Sequence, residues 1–342
     1  MLKPDNIHWS KNKICSYNAL FNFVVGARGT GKTWALKYYC VQQYIKHESK
    51  FMYIMRYNTE LEQATSKGKF FADLLNYFDN FRFKTDGNSG YIKYVPDGAD
   101  EKKIDWELLC YFKSMSEMSI KAISDPNIKT IIFDEFVPNP GVRYIKNEVE
   151  RFLELYFTIS RGVRDTKVYF LANNITSANP YFVYFGLTLP NQGECVFKND
   201  ICIENVKNIK FAETMKNTRF GKMINGTDYA KYAIDNETYI DETSFIVKMP
   251  DKAVCVVRLL TKYGTLYLWT SKAMLIVSDK GNPNSLTWSC DEESKAENIE
   301  QIDYASSYAK KLIQNYNRFS TLFYTSPVVK SKFLQACQKI LK

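Results

Sequence analysis

Histidine is almost missing from this chain: His8 and His47 are the only two in 342 residues. With so little imidazole, histidine-rich metal centres and Ser-His-Asp catalysis lack raw material. The eight cysteines contain no C-x-x-C pair and lie scattered from Cys15 to Cys337. That spacing argues against a zinc ribbon or a disulfide framework and fits a reducing cytoplasm. The opening residues, MLKPDNIHWSKNK, have no apolar h-region, so no secretory signal is expected. Val168 to Gly193 carries no charge, but Asn173, Asn174, Asn179, Pro180, Pro190 and Asn191 would be costly in a bilayer. The stretch reads as a buried strand, a loop and a second apolar segment, and no transmembrane span is expected. Internal repeats and low-complexity tracts are absent too.

What is present suits a folded protein of about two domains: 45% hydrophobic residues, 24% charged residues, 24 Tyr and 23 Phe. The net charge of +9 favours a polyanionic partner such as nucleic acid, with plain solubility as the alternative.

Through the first two hundred or so residues, short apolar runs alternate with helical patterns: FNFVVG, WALKYYCVQQYI, FMYIMRY, a polar stretch, TIIFDEF and VYFLANN. This predicts an α/β domain over 1–207 with a mainly parallel sheet covered on both faces. Residues 208–240 turn polar and read as a linker. From 241 to 342 the runs SFIVKM, AVCVVRLL, GTLYLWTS and AMLIVSD predict an antiparallel meander, followed by helices near Ile302–Gln314 and Val328–Leu341, an α+β domain.

The octet GARGTGKT, comprising Gly26, Ala27, Arg28, Gly29, Thr30, Gly31, Lys32 and Thr33, matches G-x-x-x-x-G-K-S/T between an apolar strand and a helical pattern. Glycines let successive N–H groups face phosphate oxygens. Lys32 is expected to reach the β and γ phosphates of ATP, and the Thr33 hydroxyl to bind Mg²⁺ at the helix start. Arg28 reads as a contact to phosphates or a neighbouring subunit, or as a solvated arginine. The apolar run TIIFDEF ends in Asp134, the expected Mg²⁺ ligand, and Glu135, the expected base for the attacking water. VYFLANN ends in Asn173 and Asn174; Asn173 is the expected water-positioning or γ-phosphate-sensing amide, against ordinary loop hydrogen bonding by either. Val149, Phe152, Leu153, Tyr156 and Phe157 predict an amphipathic helix ending at Arg161 and Gly162. Arg161 reads as an arginine finger or a dipole-complementing cap.

SYNALFNFVVGARGTGKT, FMYIMRYNTEL, TIIFDEF, FLANNITSANPYF and TRFGKMINGTDYAKY together resemble the DNA-packaging ATPases of small, protein-primed tailed phages. The motifs span Ser16 to about Tyr232. The resemblance implies an additional-strand P-loop ATPase that assembles as a homopentameric ring. The ring would dock at the portal vertex of an empty procapsid in the host cytoplasm and pump double-stranded DNA inward, in some members on a packaging-RNA scaffold. It implies the nucleotide roles above for Lys32, Thr33, Asp134, Glu135 and Asn173, a trans-acting role for Arg161, and a ribonuclease-H-like C-terminal domain.

A sequence-indifferent motor should touch DNA phosphates, and Arg56, Lys67 and Lys69 are the candidates beside plain solvation. A nuclease would need gathered carboxylates. AVCVVRLL has no acid, and Asp279, Asp291, Glu292 and Glu293 are the remaining material, so cleavage is not expected. A cellular helicase or remodeller is the other alternative, for which no helicase motif series is visible.

Overall fold

A computed structural model of the chain describes residues 7–117, 125–139, 142–174, 176, 179–237, 245–290, 300–301, 308–319 and 321–337. After a short helix α1 (Asn12–Ser16), the run FNFVVG forms β1 (Phe21–Gly26), buried at every residue. A strand covered on both faces has no reason to alternate polar and apolar side chains. Helix α2 (Lys32–His47) starts within the glycine octet, and β2 (Lys50–Met55) follows. Helices α3 (Asn58–Thr65) and α4 (Lys69–Ala72) lead to β3 (Phe81–Asp86), β4 (Ser89–Tyr94) and β5 (Glu107–Ser114). Next come β6 (Ile128–Phe133), α5 (Glu148–Ser160), β7 (Lys167–Asn173) and α6 (Pro180–Phe185). The hairpin β8 (Cys195–Lys198) and β9 (Ile201–Asn205) is followed by α7 (Ile209–Asn217), α8 (Arg219–Ile224) and α9 (Asp228–Ala233).

Nine strands form one sheet in the order β3-β4-β5-β2-β6-β7-β1-β9-β8. The inner strands β5, β2, β6, β7, β1 and β9 pair in parallel. Their flanks, β3 with β4, β4 with β5, and β8 with β9, pair antiparallel. The expected mainly parallel sheet is present. The region read only as a polar stretch contributes β3, β4 and β5. Strand β7 stands between β1 and β6, which brings Gly26 into register with Asn173 and Phe133 with Phe170. Every parallel strand therefore ends on the same edge as the glycine octet, where ligands bind in such sheets.

Helix α5 is pinned to this sheet by aromatic rings: Phe152 lies 4.8 Å from Phe170 and 5.8 Å from Phe133, centroid to centroid. Its buried face is Val149, Phe152, Leu155 and Ile159. The expected face was rotated slightly: Phe157 is 63% exposed. Val149, Phe152, Leu153, Leu155, Tyr156, Phe157 and Ile159 let three- and four-residue spacings fit more than one stripe, and here packing against β6 and β7 selects one.

In the C-terminal part, β10 (Val254–Leu260), β11 (Leu266–Ser271) and β12 (Met274–Ser278) form the expected meander. β13 (Leu286–Ser289) and β14 (Glu300–Gln301) extend it in parallel beside β10, and β15 (Leu322–Tyr324) does so beside β12, between helices α10 (Tyr308–Arg318) and α11 (Pro327–Ala336). Among the described residues of the run SFIVKM, the bridge of Ile246 with Tyr324 stands in place of the expected strand. The core here includes Leu259, Leu268, Val277, Trp288, Ile313 and Phe333.

The chain divides into two compact units, 1–175 with 189–239, and 176–188 with 240–342. Thus α7 to α9, read as a linker, group with the first unit, while α6 groups with the second and packs against α11. Among the described residues no helix is long and apolar enough to cross a membrane.

Candidate nucleotide site

The chain leaves β1 and passes through the left-handed region at Gly29 (φ 77°) and Gly31 (φ 81°) before α2 begins. A side chain at Gly31 would be strained there, and its Cβ would lie 3.0 Å from the Cβ of His8. The Thr30 hydroxyl donates to the Ala27 carbonyl at 3.0 Å and braces the loop. At the start of α2, free N–H groups and the positive end of the helix dipole favour an anion.

Lys32 is buried beneath this loop. Its ammonium donates to the carbonyls of Gly26 (3.0 Å) and Ala27 (2.8 Å), with Asn173 Oδ1 at 3.4 Å. Burial pulls it down to about 8, with Asp134 opposing. Asn174, by contrast, is buried and donates to the Asn236 carbonyl at 2.7 Å. Of the two amides that close β7, Asn173 is the one at the loop.

Asp134, just beyond β6, accepts the Thr33 hydroxyl and the Tyr53 hydroxyl on the same oxygen, each at 2.8 Å. Its other oxygen accepts the Glu135 N–H at 3.0 Å. Burial first, then Asp134, pushes the Tyr53 phenol well above its ordinary range, so Tyr53 stays a donor. Glu135 has φ 54°, a left-handed backbone that costs a non-glycine residue about 1–2 kcal/mol. Its carboxyl is pushed up by burial, then by Asp134 and Glu60, against Arg28 and an Asn139 hydrogen bond of 3.3 Å.

Arg28, Gly29, Thr30, Gly31, Lys32, Thr33, Asp134, Glu135 and Asn173 all line one cavity of about 340 Å³. Gly26 and Ala27 stand behind it as acceptors for Lys32. Trp34 and Asp73 also line the cavity; the sequence reading had no signal for either. Among the described residues, no group of three or more His, Cys, Asp or Glu is placed to hold a metal by itself. Mg²⁺ needs no such cage, since it takes one or two protein oxygens together with phosphate oxygens and water. The paired Thr33 hydroxyl and Asp134 carboxylate fit that demand.

A model of the podovirus DNA encapsidation protein (Gp16) family matches residues 4–325. The chain belongs to this family. It is 33% identical over 275 residues to the DNA packaging protein of Bacillus phage B103, covering 79% of this chain and 81% of that one. Among solved structures it is similar to a chain of the bacteriophage phi29 genome packaging motor assembly, at 27% identity and TM-score 0.73, covering 98% of this chain and 100% of that one. The N-terminal domain of the phi29 DNA packaging ATPase matches at 30% identity and TM-score 0.52, covering 60% of this chain and 100% of that domain.

In this encapsidation-family chain, Arg161 is exposed at the end of α5, with φ 55°, and does not line its own cavity. Arg56 is corrected. Far from facing DNA, it is 1% exposed and bonded to Glu148 at 2.7 and 2.9 Å. A basic residue after a strand reads as solvated until its buried carboxylate partner, far along the chain, is known. Lys69 is exposed at the start of α4, whereas the Lys67 side chain lies outside the described residues. Asp279 is exposed just after β12; Asp291, Glu292 and Glu293 lie outside the described residues.

Proposed function

We propose that the chain is an ATP-driven motor that moves double-stranded DNA into a preformed procapsid. The observation that carries this reading is the meeting, in one cavity, of the phosphate loop, the Thr33–Asp134 pair and Glu135. In it, Gly26 to Thr33 hold the phosphates of ATP, Thr33 and Asp134 hold Mg²⁺, and the ion neutralises charge on the transferring phosphoryl group. Glu135 accepts the proton of the attacking water, and its raised carboxyl suits a base. Asn173, beside the Lys32 ammonium, positions the water or the γ phosphate.

Arg161 acts on a neighbour's nucleotide in a homo-oligomeric ring, a pentamer by family resemblance. Its exposure at the end of α5, outside the cavity of its own subunit, supports this, because the guanidinium is free to reach a neighbour. The ring docks at the procapsid portal, with a packaging RNA as a further partner by the same resemblance. The phi29 relatives, a genome packaging motor assembly and a DNA packaging ATPase, support this reading at 27% and 30% identity. A meander flanked by parallel strands and two helices is consistent with the ribonuclease-H-like reading of the second unit, and β10 carries no acid for a nuclease metal.

The test is nuclease protection of double-stranded DNA by empty procapsids supplied with the full chain and ATP. Protection should require ATP and Lys32, fall steeply with salt and ignore DNA sequence. Plasmid held with Mg²⁺ or Mn²⁺ should stay uncut. Strand separation in place of protection would establish the helicase alternative.

A further inference from the structure

Arg56, just past β2, has its guanidinium spread over three groups from two other segments. Nε and Nη2 grip both oxygens of Glu148 at 2.7 and 2.9 Å. Nη1 donates to the Glu135 carbonyl at 2.9 Å and Nη2 to the Phe136 carbonyl at 2.7 Å. The guanidinium lies 4.9 Å over the Tyr144 ring. Both side chains of the ion pair are 1% exposed. Desolvating two charges is expensive, and a well-packed apolar pair is often as stable or more so, so stability alone is a weak reason for such a pair.

The geometry supplies a stronger reason. Glu135 sits in a left-handed conformation that its side chain disfavours, at φ 54°. Two consecutive carbonyls, those of Glu135 and Phe136, are held by one rigid planar fork. Fixing those peptides fixes the direction in which the Glu135 side chain leaves the backbone. Glu148 is the first residue of α5 and also accepts the Ile145 N–H at 3.0 Å. The opposite end of the same helix carries Arg161.

We propose that Arg56 is a positioning residue. Through its bonds to the Glu135 and Phe136 carbonyls it locks the Glu135 backbone in its strained, cavity-facing conformation, and through its ion pair with Glu148 it ties that loop to the helix that bears Arg161. This rests on the reading of Glu135 as the base.

The experiment compares Arg56→Lys and the double substitution Arg56→Met/Glu148→Leu with Glu135→Gln in the full chain, following thermal unfolding, ATP affinity and kcat. The double variant removes both buried charges together, which offsets part of the cost of leaving the Glu135 and Phe136 carbonyls and the Ile145 N–H without these partners, so it should unfold below the wild-type temperature yet remain folded at the assay temperature. A displaced base should nonetheless lower its kcat about 10²-fold, since such misplacements of around an ångström have costs of that order. ATP affinity should remain within about threefold of wild type, the signature of an interaction that acts in the transition state. Arg56→Lys keeps the charge but not the fork; it should fold like wild type and also lose most of its kcat. Wild-type kcat in either folded variant, with Glu135→Gln inactive, would overturn the positioning role alone. Wild-type kcat in Glu135→Gln would instead overturn the reading of Glu135 as the base.

Discussion

The Tyr53 hydroxyl, inside the core of the parallel sheet, donates to Oδ2 of Asp134 across 2.8 Å. The same oxygen accepts from Thr33, so β2, three places from β1 in the sheet, helps aim the carboxylate expected to face Mg²⁺. Partners of this kind tune metal affinity about 10- to 100-fold when removed. Tyr53→Phe should therefore raise the Mg²⁺ concentration needed for half-maximal ATPase activity by about tenfold at nearly unchanged ATP binding at saturating Mg²⁺. An unchanged Mg²⁺ titration would show that Thr33 and the Glu135 N–H suffice to aim Asp134.

Lys32 in the free protein sits near 8 because burial disfavours its charge. Phosphate should restore the ammonium's preference, so binding ATP takes up a proton when the pH is near or above this value. Affinity should fall by up to about tenfold per pH unit well above 8, and calorimetry in buffers of different ionisation enthalpy should register the uptake. Binding without proton uptake at pH 8.5 would mean that the lysine is already fully charged.

Glu135 bears opposite consequences for stability and for turnover. Its folded-state value is raised, so its contribution is most favourable below the unfolded carboxyl value of about 4.3 and is lost as pH rises through the folded value. Glu135→Gln should then unfold at a higher temperature than wild type at pH 7, with the gap closing below about pH 4. The same substitution should cut kcat by about 10²- to 10⁴-fold while ATP still binds. The acid limb of wild-type kcat/KM, which reports the free enzyme, should lie above the ordinary glutamate range, and Glu60→Gln should move it down, because Glu60 is one of the charges raising it.

Arg161 occupies a left-handed helix end at φ 55°, where glycine is at ease. Arg161→Gly should keep or raise stability by up to about 1 kcal/mol. As an arginine finger it should nevertheless lose turnover by about 10³-fold or more. Mixing Arg161→Ala subunits with Glu135→Gln subunits, each nearly inactive alone, should restore part of the activity. In mixed rings some interfaces pair an intact base with an intact arginine. Full activity of Arg161→Gly would leave the residue as a helix cap.

The sequence by itself determined the elements whose signals are local. GARGTGKT announced a glycine turn leading into a helix because glycine spacing and the helix start are properties of neighbouring residues, and TIIFDEF announced an acid at a strand end for the same reason. Nothing local separates Asn173 from Asn174; the register of β7, inserted between β1 and β6, places Asn173 beside Gly26. Neither Tyr53 nor Glu148 carries a local signal, and Arg56 reads as a DNA-phosphate candidate or a solvated base. Their roles depend on partners 81, 92 and 92 residues away. The face of α5 was likewise set by Phe133 and Phe170 on two strands, one before and one after it. Backbone chemistry and short-range periodicity are written in contiguous residues, whereas the pairing of buried polar groups is enforced by desolvation, which acts only once the chain has packed.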